Sequence, residues 1–270
     1  RLVMTVTADH LEQVIEDGNK TAVIISIEGA APLNGDPERL EHFYGRGVRL
    51  LTIGWDDNAF CGTVFGNNAG LTSKGKKLIE FCRDSGVAVD LSHASDQAFW
   101  DIASNFDIPF AASHSNARSV CPNDRNLTDD MIKTIADRGG IIGLTYGSGF
   151  ISPEYFKSEK VNRERILSGL RQGSITIKDA HRISHEALSH LERAHLDDLA
   201  RHAIHILDKG GEDCLGLGSD FDGVDSLVES VDGLADVNRI FDSLHRQGIS
   251  SRVLEKIACQ NALAFFKRVL

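Results

Sequence analysis

Short apolar runs punctuate the chain at 21–27, 47–53, 87–91, 108–112, 139–144 and 214–218. Between them, apolar residues recur every three or four positions, as on one face of a helix. Leu11, Val14 and Ile15 do so within 8–17, and 37–44, 73–84, 96–104 and 129–138 read the same way. Thr72 and Thr128 stand where a helix N-cap is wanted. Strand and helix in alternation predict a parallel sheet covered by helices. The unbroken run TAVIISI at 21–27 predicts a strand buried on both faces. A (β/α)8 TIM-like barrel lacking its N-terminal strand or strands accounts for the pattern, in a single domain over 1–270. A doubly wound open sheet is the alternative, but no G-x-G-x-x-G turn supports it. Over 147–175 the periodicity fails, which predicts an insertion forming a lid or loop over the barrel mouth. The stretch 177–209 reads as helix, and 234–270 as two or three amphipathic helices.

Composition narrows the function classes. Hydrophobic residues make up 41% and charged residues 25%, as in ordinary globular proteins. A net charge of -10 argues against nucleic acid and anionic membranes as partners. No apolar run approaches the roughly 20 residues of a membrane helix, and no signal peptide is visible. Five dispersed cysteines with no CxxC read most simply as reduced thiols in a cytoplasmic chain. The sequence opens at Arg1 just before a helical pattern, which suggests that an N-terminal segment is missing.

The candidate chemistry sits at strand ends. The runs VAVDL and IPFAA each lead to a Ser-His pair, Ser92-His93 and Ser113-His114, with a helical segment between. In a parallel βαβ unit the two histidines occupy equivalent positions at the carboxyl edge, where α/β barrels carry their sites. Glu28, Trp55 and Asp220 follow three other strands. Imidazole and carboxylate suit zinc, and a zinc-bound water becomes hydroxide near neutral pH, a nucleophile without serine or cysteine. Asp220 could move its proton, and Arg125 could clamp a substrate carboxylate. Each has a plainer reading. A strand-end histidine is more often a structural hydrogen bonder, Arg125 and Arg118 surface charges, Trp55 packing, and Asp222 a turn cap. The pairs His181/His185 and His202/His205 share helical faces but lie away from strand ends, so they read as solvated or packing histidines, and Cys121 reads as packing.

With these residues quoted, the chain resembles the renal (membrane) dipeptidase family of zinc metallopeptidases. The resemblance lies in IEGA (27–30), GVRLLTIGWDDN (47–58), GLTSKGKKLIEFCRDSGVAVDLSH (70–93), PFAASHSNARSVCPNDRNLTDD (109–130), GGIIGL (139–144), LGLGSDFDGV (215–224) and QNALAFF (260–266). It implies a metal-dependent hydrolase barrel that cleaves dipeptides, some with a D-residue at the C-terminal position. Glu28 would bridge two zinc ions, His93 and His114 would complete one of them, Arg125 would bind the dipeptide carboxylate, and Asp220 would be the acid/base. Relatives commonly form dimers, so a homodimer is compatible. Two departures stand out. The family's His-x-Asp pair has no counterpart, and Trp55 takes the place of a substrate-contacting histidine. One ion or none is therefore an alternative to two. A non-catalytic binding barrel and a binuclear amidohydrolase acting on other amides are the competing functions.

Overall fold

The computed structural model describes the backbone of residues 1–270 and all side chains except those of Leu167, Ile177, His181 and His185. The reading of His181 and His185 as packing or solvated histidines therefore lies outside the described residues.

Six parallel strands form the main sheet in chain order: β3 (Ile25–Glu28), β4 (Val48–Thr52), β5 (Ala88–Asp90), β6 (Ala111–Ala112), β7 (Ile141–Thr145) and β8 (Leu215–Ser219). A separate parallel pair joins β1 (Leu2–Met4) to β2 (Thr21–Val23). This corrects one expectation. The run at 21–27 is two strands that change partner at Ile24, and Ile25, Ser26 and Glu28 are exposed because β3 is an edge. The hydrogen bonds describe a six-stranded sheet and a pair, not a closed eight-stranded barrel. The sheet is nevertheless curled. Glu28 at the tip of edge strand β3 and Asp220 just beyond edge strand β8 line one cavity.

Helices cover the outer face. The crossovers include α3 (Ser73–Ser85), α4 (Asp96–Asn105), α5 (Asp129–Asp137) and α9 (Leu196–Gly210). Hydroxyls stop their first turns from fraying. Thr72, Ser95 and Thr128 accept hydrogen bonds from the backbone N–H groups of Gly75, Ala98 and Met131. Leu78, Ile79, Ile102 and Ile132 of these helices meet Leu51, Val89 and Ile142 of the strands in one core. Each fully buried Leu or Ile contributes about 1.5–3 kcal/mol. Phe265, on α12 (Asn261–Val269), packs against Ala88, Ala111 and Ile141 at the strands' amino ends. The carboxyl ends are left open for a site.

The region 147–175 is largely helical, where the lost periodicity suggests a lid or loop. It holds α6 (Ser148–Ile151) and the 19-residue α7 (Pro153–Arg171), whose first turn is set by Ser152 as N-cap and Pro153. Its polar residues hide the helical period because so little of the helix faces the core. Likewise 177–209 is two helices, α8 (Ile177–Leu188) and α9, separated at 189–195. No described helix is long and apolar enough to cross a membrane.

Candidate metal centre

Sheet register decides which side chains meet. Glu28 pairs with Thr52, Thr52 with Asp90, and Asp90 with Ala111, so these residues form one row across four strands. His93 and His114 each lie three residues beyond their paired partners, Asp90 and Ala111, and so emerge side by side above that row. Close approach near His114 depends on missing side chains. A Cβ on Gly143 or Gly218 would fall 2.0 or 2.2 Å from the Ser113 carbonyl oxygen.

Three donors converge. His93 Nε2 lies 2.9 Å from His114 Nε2 and 3.1 Å from Glu28 Oε1, and His114 Nε2 lies 3.4 Å from the same oxygen. A point about 1 Å out of the plane of this triangle lies about 2.1 Å from every corner, the reach of zinc to imidazole nitrogen or carboxylate oxygen. Burial first, and then the charge of Arg125, hold the His93 imidazole far below its ordinary pKa. The same two causes depress His114. Both rings are therefore neutral at physiological pH, the form that ligates metal. His93 Nδ1 is buried without a partner. The donor set fits one divalent ion.

A cavity of about 440 Å³ opens above the donors, lined by Glu28, Trp55, His93, Arg125, Phe150 and Asp220 among others. The residues singled out at strand ends thus share one place, with His114 against His93 beneath it. Arg125 is only 3% exposed. It donates to the backbone oxygens of Ser92 and His114 and approaches Ser115 Oγ and His93 Nε2. None of these partners is acidic, and its Nε has none. Burial lowers its pKa to about 10 against the raising influence of the Asp90, Asp220 and Glu28 charges, so it remains a cation at neutral pH with no carboxylate bonded to it.

Asp220 follows β8 with φ 63°, and Asp222 has φ 64°, left-handed values that aspartate tolerates better than most residues. Gly223 closes the turn by donating to the Asp220 carbonyl. A Cβ there would meet Asp220 Oδ1 at 2.2 Å, so the glycine keeps the carboxylate's place clear. Burial raises the Asp220 pKa, against the lowering influence of His114 and Arg125. Trp55 stands half-exposed at the rim, its ring 5.9 Å from His93 and 6.0 Å from Phe65.

Sequence reasoning missed Phe65, Phe150 and Asp90. Phe65 hides in a glycine-rich loop and Phe150 in the stretch without periodicity. Asp90 lies inside an apolar strand run, and that buried carboxylate was the available signal. Two of the other histidines are structural: His202 accepts from the Ala117 N–H and bonds the Ile151 carbonyl, and His205 pairs with Asp129. Burial drives the Cys121 thiol to about 12, so it carries no thiolate chemistry.

Known proteins share this arrangement of the chain. An uncharacterized protein in the pqqA 5' region of Klebsiella pneumoniae is 31% identical over 277 residues, covering 100% of this chain and 89% of that protein. The crystal structure of the probable dipeptidase PvdM from Pseudomonas aeruginosa superposes with a TM-score of 0.86 at 23% identity, over 100% of this chain and 74% of that one. A metallo peptidase from Rhodobacter sphaeroides, liganded with a phosphinate mimic of the dipeptide L-Ala-D-Ala, gives a TM-score of 0.79 at 24% identity, over 100% and 69%. The chain spans about half the length of the curated dipeptidases it matches. The profile of the family described as membrane dipeptidase (peptidase family M19) matches residues 1–270. With a metal-type donor triad at its strand tips and a family match along its whole length, the chain belongs to the membrane dipeptidase family of metallopeptidases.

Proposed function

We propose that the protein is a zinc-dependent dipeptidase whose metal is held by Glu28, His93 and His114. The observation that carries this reading is the convergence of those three donor atoms beneath a cavity lined by Asp220 and Arg125. When bound, zinc supplies Lewis-acid charge for the scissile carbonyl and acidifies a water. Arg125, a buried cation without an acidic partner, binds the free carboxylate of the dipeptide and sets its register. Asp220 takes a proton at its carboxylate oxygen and returns it to the leaving amine. Its raised pKa suits both transfers. Trp55 packs on the substrate at the rim. A second ion sharing Glu28 would need further donors, since the described residues bring only three protein donors together. We also propose that the curled sheet is the greater part of a (β/α)8 barrel, since the tips of its two edge strands already face one cavity.

The test is metal analysis followed by turnover. Bound zinc and hydrolysis of a simple dipeptide such as L-Ala-D-Ala are expected, both lost in His114→Ala. Full activity in that variant would overturn the assignment. One observation favours a second reading, a barrel that binds dipeptides without cleaving them. Trp55 stands where the resemblance places a substrate-contacting histidine, and its bulky ring puts an indole N–H there in place of an imidazole. Zinc and dipeptide binding without turnover would establish it.

A further inference from the structure

We propose that Asp90, buried one layer beneath the metal donors, fixes which nitrogen of His114 carries the proton and so readies that imidazole as a ligand. This inference rests on the reading of the site as a metal centre and concerns a positioning residue outside the donor set.

Asp90 ends β5 and is fully buried. Its Oδ1 accepts from the Ser92 N–H at 3.1 Å, Ser92 Oγ at 2.7 Å and the Ser113 N–H at 2.8 Å. Its Oδ2 accepts from Thr52 Oγ1 and Ser113 Oγ, both at 2.7 Å. Two of these five neighbours are N–H groups, which can only donate, and the three hydroxyls can each give their hydrogen, so an ionised carboxylate satisfies all five at once. The two serine hydroxyls lie 3.2 Å from each other but 2.7 Å from the carboxylate, the stronger acceptor, so both give their hydrogens to Asp90. Ser113 Oγ also lies 2.8 Å from His114 Nδ1. With its single hydrogen given to Asp90, it can only accept there. His114 Nδ1 must carry the hydrogen, which leaves the Nε2 lone pair facing Glu28 and His93. Ser92 braces the same residue by accepting from the His114 backbone N–H at 3.2 Å.

The two Ser-His tips, alike in sequence, differ in this respect. His93 Nδ1 is buried without a partner, while its Nε2 faces two acceptors, Glu28 Oε1 and the His114 Nε2 lone pair. Without an ion its hydrogen therefore belongs on Nε2 and must move for it to ligate. His114 is the preset ligand and His93 the one that must switch.

The plainer role of Asp90 is to tie β4, β5 and β6 together, and the proton position separates the two roles. In Asp90→Asn an amide N–H facing Ser113 would turn the hydroxyl hydrogen onto His114 Nδ1. The ring proton would then move to Nε2 and block ligation. Ser113→Ala cuts the link while keeping Asp90 bonded to Thr52 and Ser92, and Ser113→Thr restores it.

Two measurements test this. Nitrogen NMR of the metal-free wild-type protein is expected to find His114 protonated at Nδ1, and protonation at Nε2 overturns the proposal. Zinc affinity, measured by chelator competition, is expected to fall about 10–100-fold in Ser113→Ala and in folded Asp90→Asn, and to return in Ser113→Thr. Unchanged affinity in Ser113→Ala also overturns it. Absence of zinc binding by the wild-type protein would instead sink the metal-centre reading, and the NMR result would still decide the tautomer.

Discussion

Charge without water explains the site residue by residue. Two imidazoles and a guanidinium are buried around one point, and each burial pushes its group toward neutrality. Arg125 keeps its charge and lacks an acidic partner, so a substrate carboxylate would relieve it. Arg125→Lys should therefore raise KM for dipeptides about 10–100-fold, the loss of about 1.5–3 kcal/mol for a charged hydrogen bond, with a smaller change in kcat. Steady-state kinetics on one dipeptide would decide this. Asp220→Asn should lower kcat by about 10²–10⁴-fold. A base must be deprotonated to act, so wild-type activity should rise with pH through an Asp220 pKa above the ordinary carboxylate range. The pH–rate profile of the variant should lose that acidic limb.

Among the elements, a few polar contacts hold helices to the strands that carry the ligands. Ser95 caps α4, the helix between the two Ser-His tips, and its hydroxyl also donates to the Ala69 carbonyl at 2.6 Å. Ser95→Ala should cost about 1–2 kcal/mol in denaturant unfolding. His202 of α9 bridges the loop after β6 to α6 through Ala117 and Ile151. Its Nδ1 accepts and its Nε2 donates, so protonation would turn the acceptor into a second donor against an N–H. Burial lowers its pKa from 6.5 to about 4. The depressed value means that the unfolded chain takes up the proton first as pH falls. Stability is complete above about pH 6.5 and should decline by about 3 kcal/mol on acidification through pH 4. His202→Gln, which keeps an acceptor and a donor, should flatten that slope in thermal melts taken across this range.

For the whole molecule, the curl of the sheet is the organising fact. Its two edges bring Glu28 and Asp220 to one cavity, so the metal donors tie distant parts of the chain together. An ion bound to the folded chain alone should stabilise all of it. At 100 times its dissociation constant, zinc should add about 2.7 kcal/mol, and chelation should lower the melting temperature by several degrees. A melting curve unmoved by chelator would count against a structural link between ion and fold.

Alternation of apolar runs with helical periods was enough to read five of the six main strands, the caps Thr72 and Thr128, and the matched placement of His93 and His114. Those features are local or follow from parallel register, which counts residues along the chain. The partner change at Ile24, the helix at Pro153–Arg171 and the Asp90 network were decided only by tertiary structure. Strand partnership, the packing of a polar helix and the proton sharing of a buried carboxylate all depend on groups distant in sequence, and no local period encodes them.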